Sequence, residues 1–240
     1  LLKESPVLVI EAETYQPAFS PDGKEVAYLE ERTTLKVLNL NSGDTRTILA
    51  GDRNYSYTDG DQWYQWSPDG KWFLANFLSA DRWSSEVGLV AADGDGEIVN
   101  LTRSGYEDNQ PIWAMNGEMM IWQTDKNGLR DHGGWRTTGD IYGMFFTQES
   151  WDKYHLTEAE LALVDALKDD DKKQDGKGKK GEDGDKEDDE DQDKTEGRKY
   201  PDGFKPKKLP EPLKIDLENI ADRTDRLTIH ASNISEAVLT

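Results

Sequence analysis

The side chains able to do chemistry in this chain are few and scattered. Any imidazole base must come from His132, His155 or His230. Acyl transfer by a serine needs a nucleophile, a base and an orienting acid brought together. The most conspicuous serines, Ser20 and Ser67, each precede Pro-Asp-Gly-Lys, which is turn sequence, and no Gly-x-Ser-x-Gly elbow occurs. We therefore assign no catalytic residue. The absence of cysteine removes thiol nucleophiles, disulfide staples and zinc–thiolate sites together. The three histidines lack zinc spacing. Asp171, Asp175, Gly176 and Glu182 fall at positions one, five, six and twelve of a calcium loop, but Lys173 at position three cannot ligate. That stretch reads as a charged tether. No metal or cofactor is expected.

Contact chemistry is better represented. The chain has eight tryptophans. Trp66, Trp72, Trp113 and Trp122 lie on or beside strand-like runs and are expected to pack between sheets, where an indole buries a large area. Trp63, Trp83 and Trp135 lie in or next to loops, where the same ring could line a peptide or sugar surface. Two loops stand out: 55–62, and 127–136 with its Arg130, His132, Gly133 and Gly134. Trp63, Trp83, Arg130, His132 and Trp135 are the candidate substrate or interface contacts. The plain alternative is a solvated loop packing on its own sheet.

Charge narrows the partners. The net charge of −20 excludes binding driven by phosphate neutralisation, which needs a basic surface, and disfavours anionic membranes. Between Asp165 and Lys208, 13 basic residues nearly match 16 acidic ones, so only −3 belongs to that run and −17 lies elsewhere. An acidic surface favours basic or unstructured peptides. No apolar run reaches the ~20 residues that span a bilayer, and no signal-peptide pattern opens the chain. Beginning at Leu1 without methionine, it reads as a piece of something longer.

The elements that would position these residues follow from a repeat. Ser20-Pro21-Asp22-Gly23-Lys24 recurs 47 residues on as Ser67-Pro68-Asp69-Gly70-Lys71, and Ala114-Met115-Asn116-Gly117-Glu118 is a degenerate third copy. Each turn is preceded by a short run such as Trp63–Trp66 or Gln110–Trp113. Each is followed by another, at Glu25–Leu29, Trp72–Phe77 and Met119–Gln123. Leu35–Leu40 with Thr45–Leu49, and Glu86–Ala91 with Glu97–Leu101, complete two sets of four. Four short strands per ~45 residues is the blade of a β-propeller. The third set continues at Ile141–Phe146 and is expected to finish with Leu213–Asp216 and Arg223–Thr228. The expected fold is all-β: a partial propeller of about three four-stranded antiparallel blades, with a helical and low-complexity charged insertion.

The expected organisation is propeller blades over 1–147, a helical insertion over 148–168, a disordered charged tether over 169–208, and completion of the third blade with the start of the next over 209–240. In the helical part Thr157 and Glu160 form a capping-box pair, and Ala159, Leu163, Val164 and Leu167 share a face. The tether has too few apolar residues to offset its ordering entropy.

The Ser-Pro-Asp-Gly-Lys blocks resemble the propeller repeats shared by TolB and the tricorn proteases. The run Asn127–Trp135 leading to Asp140–Phe146, then a helix, a Lys/Glu/Asp-rich insertion and Pro212–Ile220, is similar to bacterial tricorn-type proteases. That resemblance implies an N-terminal propeller region of a larger, PDZ-containing serine protease, guiding or gating peptides and docking to a protease core. It implies as partners peptide or unfolded polypeptide substrates, the remaining propeller, PDZ-like and protease domains, and a homo-oligomer. It points to the periplasm or cell envelope. No catalytic residue of such a core matches a position here. A TolB-like protein-binding propeller without protease activity is the alternative, and the propeller of a prolyl-oligopeptidase relative is a third.

Overall fold

Twelve strands form three four-stranded antiparallel sheets in the computed structural model, which describes residues 11–80, 83–94, 96–129, 137–175, 207–235 and 237–239. The first blade is β1 (Thr14–Phe19), β2 (Glu25–Glu30), β3 (Thr34–Asn39) and β4 (Thr45–Leu49), in that spatial order. The second is β5 (Tyr64–Trp66), β6 (Trp72–Leu78), β7 (Ser85–Ala91) and β8 (Val99–Asn100). The third is β9 (Asp108–Ala114), β10 (Met119–Thr124), β11 (Asp140–Phe145) and β12 (Thr224–Arg226). The fold is all-β, a partial propeller of three blades.

Each repeated pentapeptide closes the first hairpin of its blade by satisfying its own polar groups. Ser67 Oγ donates to Asp69 Oδ1 at 2.5 Å and accepts from the Lys71 and Trp72 amides at 3.1 and 2.9 Å. Ser20, Asp22 and Glu25 repeat this in the first blade. Gly70, at φ +69, supplies a left-handed turn position. The third copy has Ala114 in place of serine. There a short 3-10 turn at Met115–Gly117 substitutes, with Met115 and Asn116 at φ 48 and 55. A Cβ on Gly117 would lie 2.6 Å from the Leu213 side chain, so glycine is needed for that approach.

The period-2 alternation of strands divides the core into two clusters. On β6, Phe73, Ala75 and Phe77 face the first blade and join Ala27, Leu29, Val37 and Ile48. Leu74 on the opposite face, with Val87 and Leu89, joins Met120, Trp122, Tyr142 and Met144 of the third blade. The middle blade is thus buried on both sides, which is why its strands read as nearly continuous apolar runs. Trp66 and Trp122 are buried, while Trp72 and Trp113 are half-buried and pack against the second cluster.

Specific hydrogen bonds join neighbouring blades. The Trp66 indole donates to the Ala18 carbonyl at 3.2 Å, and the Trp113 indole to the Gln65 carbonyl at 3.4 Å. Donor and acceptor both advance by 47, so one latch is used at both joints. Phe19 occupies the corresponding position in the first blade and is 66% exposed.

Three expectations need correction. Glu97–Leu101 contributes only the two-residue β8. Leu213–Asp216 forms no strand. Its apolar alternation arises because Leu213 covers Gly117 and Ile215 packs against the second core cluster. Its backbone bonds leave the sheets: the Leu213 amide donates to Asp69 Oδ2 at 2.8 Å, and the Asp216 amide to the Phe146 carbonyl at 2.9 Å. The Lys207 amide reaches the Asp22 carbonyl, so the returning segment ties to the first-hairpin turns of all three blades. The helical stretch is two helices, α1 (Gln148–Tyr154) and α2 (Glu158–Asp175), and α2 continues beyond residue 168.

The chain divides into two compact units, 1–148 with 197–240, and 149–196. Within the second, the expected capping box is present. The Thr157 amide donates to Glu160 Oε2 at 2.9 Å and the Glu160 amide to Thr157 Oγ1 at 3.3 Å. Leu163 and Leu167 are exposed. No helix among the described residues is long and apolar enough to cross a membrane.

Candidate functional site

β5 and β6 are antiparallel, with Tyr64 opposite Ala75, so the entrance to β5 and the β6–β7 hairpin loop share one rim of the second blade. The loop 55–62 enters there from the first blade. It is held from below by Gln62, which is buried and donates to the Tyr55 carbonyl at 3.1 Å and to Asp61 Oδ1 at 2.9 Å. Gln16 of the first blade donates to the Gln62 carbonyl at 2.9 Å, anchoring the loop to both blades.

Asp61 organises the tip. Its Oδ2 accepts from the Tyr57 and Thr58 amides at 2.5 and 3.0 Å. Partial burial pushes its carboxyl upward, but the donors from Thr58, Gln62, Tyr57 and Ser56 outweigh this and hold it below its ordinary value. It is therefore an ionised anchor at neutral pH.

This framework presents three aromatic rings to solvent. Tyr55 meets Tyr57 edge-on, with centroids 4.7 Å apart, and lies 5.8 Å from Trp83 at 57°. Tyr57 is 79% exposed and Trp83 67%. Trp83 holds a backbone φ of +55°, which is costly for a bulky residue, and its amide bonds the Ser79 carbonyl at 3.2 Å. The three rings form an exposed aromatic cluster, the candidate contact surface of this rim.

Trp63 lies elsewhere. Its indole donates to the Pro111 carbonyl of the third blade at 2.9 Å, so its polar atom serves a joint between blades. Its ring lines a groove of about 340 Å³ with Ile112, Ile121, Ile141, Ile234 and Val238. Trp83 and Trp63 are thus separate features. Arg130, His132 and Trp135 lie outside the described residues, as does the part of the expected calcium-loop pattern from Gly176 onward. The base of the Arg130 loop is described: the Leu129 amide donates to Thr138 Oγ1 at 2.8 Å, and Asn127 to the Tyr142 hydroxyl at 2.6 Å.

Tyr55 and Tyr57 were not singled out individually by sequence. The available signal is two tyrosines separated by one residue in a loop with two aspartates and a glycine.

Several other described polar groups are taken up by structural bonds. Ser20 and Ser67 spend their hydroxyls on their turns. His155 donates to the Trp151 carbonyl at 2.8 Å, and His230 is exposed. Glu86 accepts from Thr102 Oγ1 and from the Ser104 and Gly105 amides, folding the crossover into the third blade. Asp108 accepts from the Trp122 indole at 3.1 Å and from Ser104 Oγ; burial is the main influence and raises its carboxyl. Among the described residues no group of acidic or histidine side chains could hold a metal. Comparison with protein-family models gives no match to this chain, and comparison with curated proteins gives none either.

Proposed function

We propose that this chain is a non-catalytic propeller segment of a tricorn-like serine protease, which guides or gates peptide substrates and docks to the protease core. The observation that carries the reading is the conversion of a 47-residue repeat into three latched blades whose rim exposes Tyr55, Tyr57 and Trp83. The repeat serines are consumed by turns, so the chemistry is assigned to another part of the parent protein. Phe19, exposed where Trp66 and Trp113 pair with a preceding blade, suits a wheel with further sectors.

The test is hydrolysis of long unfolded peptides by the intact parent protein, with and without Tyr55→Ala and Trp83→Ala. The variants are expected to slow long-peptide cleavage and leave short chromogenic substrates unaffected. Equal rates on long peptides would remove the access role. The exposed aromatic rim also favours a second reading, a TolB-like protein-binding propeller with no protease attached. Labelling of the parent by a serine-directed fluorophosphonate separates the two.

A further inference from the structure

We infer that the exposed faces of Tyr57 and Trp83 read arginine side chains of an extended polypeptide. This names the substrate chemistry of the access rim and rests on the proposed access function. Three observations carry it. First, the rings are steeply inclined, 66° between Tyr55 and Tyr57 and 57° between Tyr55 and Trp83. They share no flat platform of the sort that stacks a sugar ring. They offer separate π-faces, each suited to a planar cation.

Second, the same loop carries Asp59 and Asp61, on a chain of net charge −20. Both are engaged within the chain, Asp59 with Arg32 and Asp61 with the Tyr57 and Thr58 amides, so what favours a cation over an apolar or anionic partner here is the net negative field of the chain.

Third, the chain already makes this contact within itself. The Arg32 guanidinium sits 5.4 Å over the Tyr15 ring and 3.0 Å from Asp59 Oδ1. A tyrosine face beside a carboxylate of the 55–62 loop is thus an arginine site in the folded protein. Tyr57 and Trp83 present the same ring chemistry to solvent, and among the described residues no cation lies over either ring.

Arginine is favoured over lysine because its planar, weakly hydrated guanidinium stacks on a ring, whereas an ammonium acts as a hydrated point charge. The probes are fluorescent nonapeptides alternating Gly with Arg, Lys or Glu, titrated by anisotropy into the full chain at several salt concentrations. The Arg peptide is expected to bind more tightly than the Lys peptide of equal charge. Trp83→Leu and Tyr57→Leu are each expected to weaken the Arg peptide about two- to fivefold, the size of an exposed cation–π contact. Both leave the salt dependence unchanged, because no charge is altered.

Equal affinity of the Arg and Lys peptides, or wild-type affinity in the double leucine variant, would overturn the inference and leave only long-range attraction. Both side chains are exposed, so the variants keep the fold, and circular dichroism verifies it. The outcome is separable from the access role. Loss of long-peptide hydrolysis by the parent's rim variants, with no arginine preference, would retain that role and reject this one.

Discussion

Trp66 donates its indole N–H to the backbone carbonyl of Ala18 in the preceding blade, at 3.2 Å. Trp113 and Gln65 make the same bond 47 residues further on. A tryptophan at this position serves two purposes, since its ring fills the space between sheets and its N–H satisfies a carbonyl at the joint. Trp66→Phe keeps most of the ring and removes the donor. It is expected to destabilise by about 1 kcal/mol, whereas Trp66→Ala is expected to cost about 3–5 kcal/mol through the cavity it leaves. Urea unfolding measures both. Equal losses for the two variants would show that the indole N–H, not the ring volume, dominates the joint.

The turn serines should matter more than their place in hairpin turns suggests. Ser67 is fully buried, and its hydroxyl closes three hydrogen bonds. Ser67→Ala removes the acceptor of the Trp72 amide and leaves the Lys71 amide with Asp69 Oδ1 alone, and is expected to cost about 1–3 kcal/mol. Asp69→Ala also removes the acceptor for Leu213, so it should loosen the segment after the insertion. Hydrogen exchange at the Leu213 amide reads this directly: faster exchange in Asp69→Ala than in Ser67→Ala is expected.

The pairing of Arg226 with Asp140 holds the last strand of the third blade in place. The Asp140 side chain is fully buried, and its Oδ1 accepts from Arg226 Nε and Nη2 at 3.0 and 2.8 Å and from Thr228 Oγ1 at 2.7 Å. Removing the cation leaves a buried carboxylate with one neutral donor. Arg226→Ala is expected to destabilise by about 3–5 kcal/mol and to release β12, which is joined to β11 only across the insertion. Exchange protection lost first at Gly143, whose strand pairs with β12, would report this.

Asp108 gives a pH signature of defined sign. Burial raises its folded carboxyl above the ordinary 3.8, and the hydrogen bonds from Ser104, Thr124, Trp122 and Thr102 only partly oppose this. The folded state therefore binds its proton more readily than the unfolded chain does. This group's contribution to stability falls as pH rises from about 3.8 through its raised folded value. Asp108→Asn should remove that slope, so the difference in stability between variant and wild type should shift in the variant's favour as pH rises through this window. Chemical denaturation at a series of pH values checks it.

Much of the fold was legible because hairpin chemistry is local. Thr45–Leu49 was placed residue for residue, and β2, β6, β7, β10 and β11 within about one residue, since Gly-containing turns and period-2 runs mark them. Leu213–Asp216 misled for a physical reason. Alternating burial also arises when an extended segment lies across turns, and nothing local says whether its amides meet a sheet or the carboxylate of Asp69. At the aromatic rim, Trp83 is legible in the sequence as an indole beside a loop. Its grouping with Tyr55 and Tyr57 was not, because it depends on the β6–β7 hairpin ending at the rim where β5 begins. The latch partners were equally hidden, since a carbonyl acceptor has no residue-type signature.

The proposed role makes these blades sectors of a larger wheel serving chemistry held elsewhere in the same protein. Its most direct test is a cryo-electron microscopy structure of the intact parent with a fluorophosphonate-labelled serine. Consecutive sectors of a closed ring, a neighbouring sheet covering Phe19 and the label in a separate domain are expected. A ring closed by these three sheets alone, or a label on a serine of this chain, would contradict it.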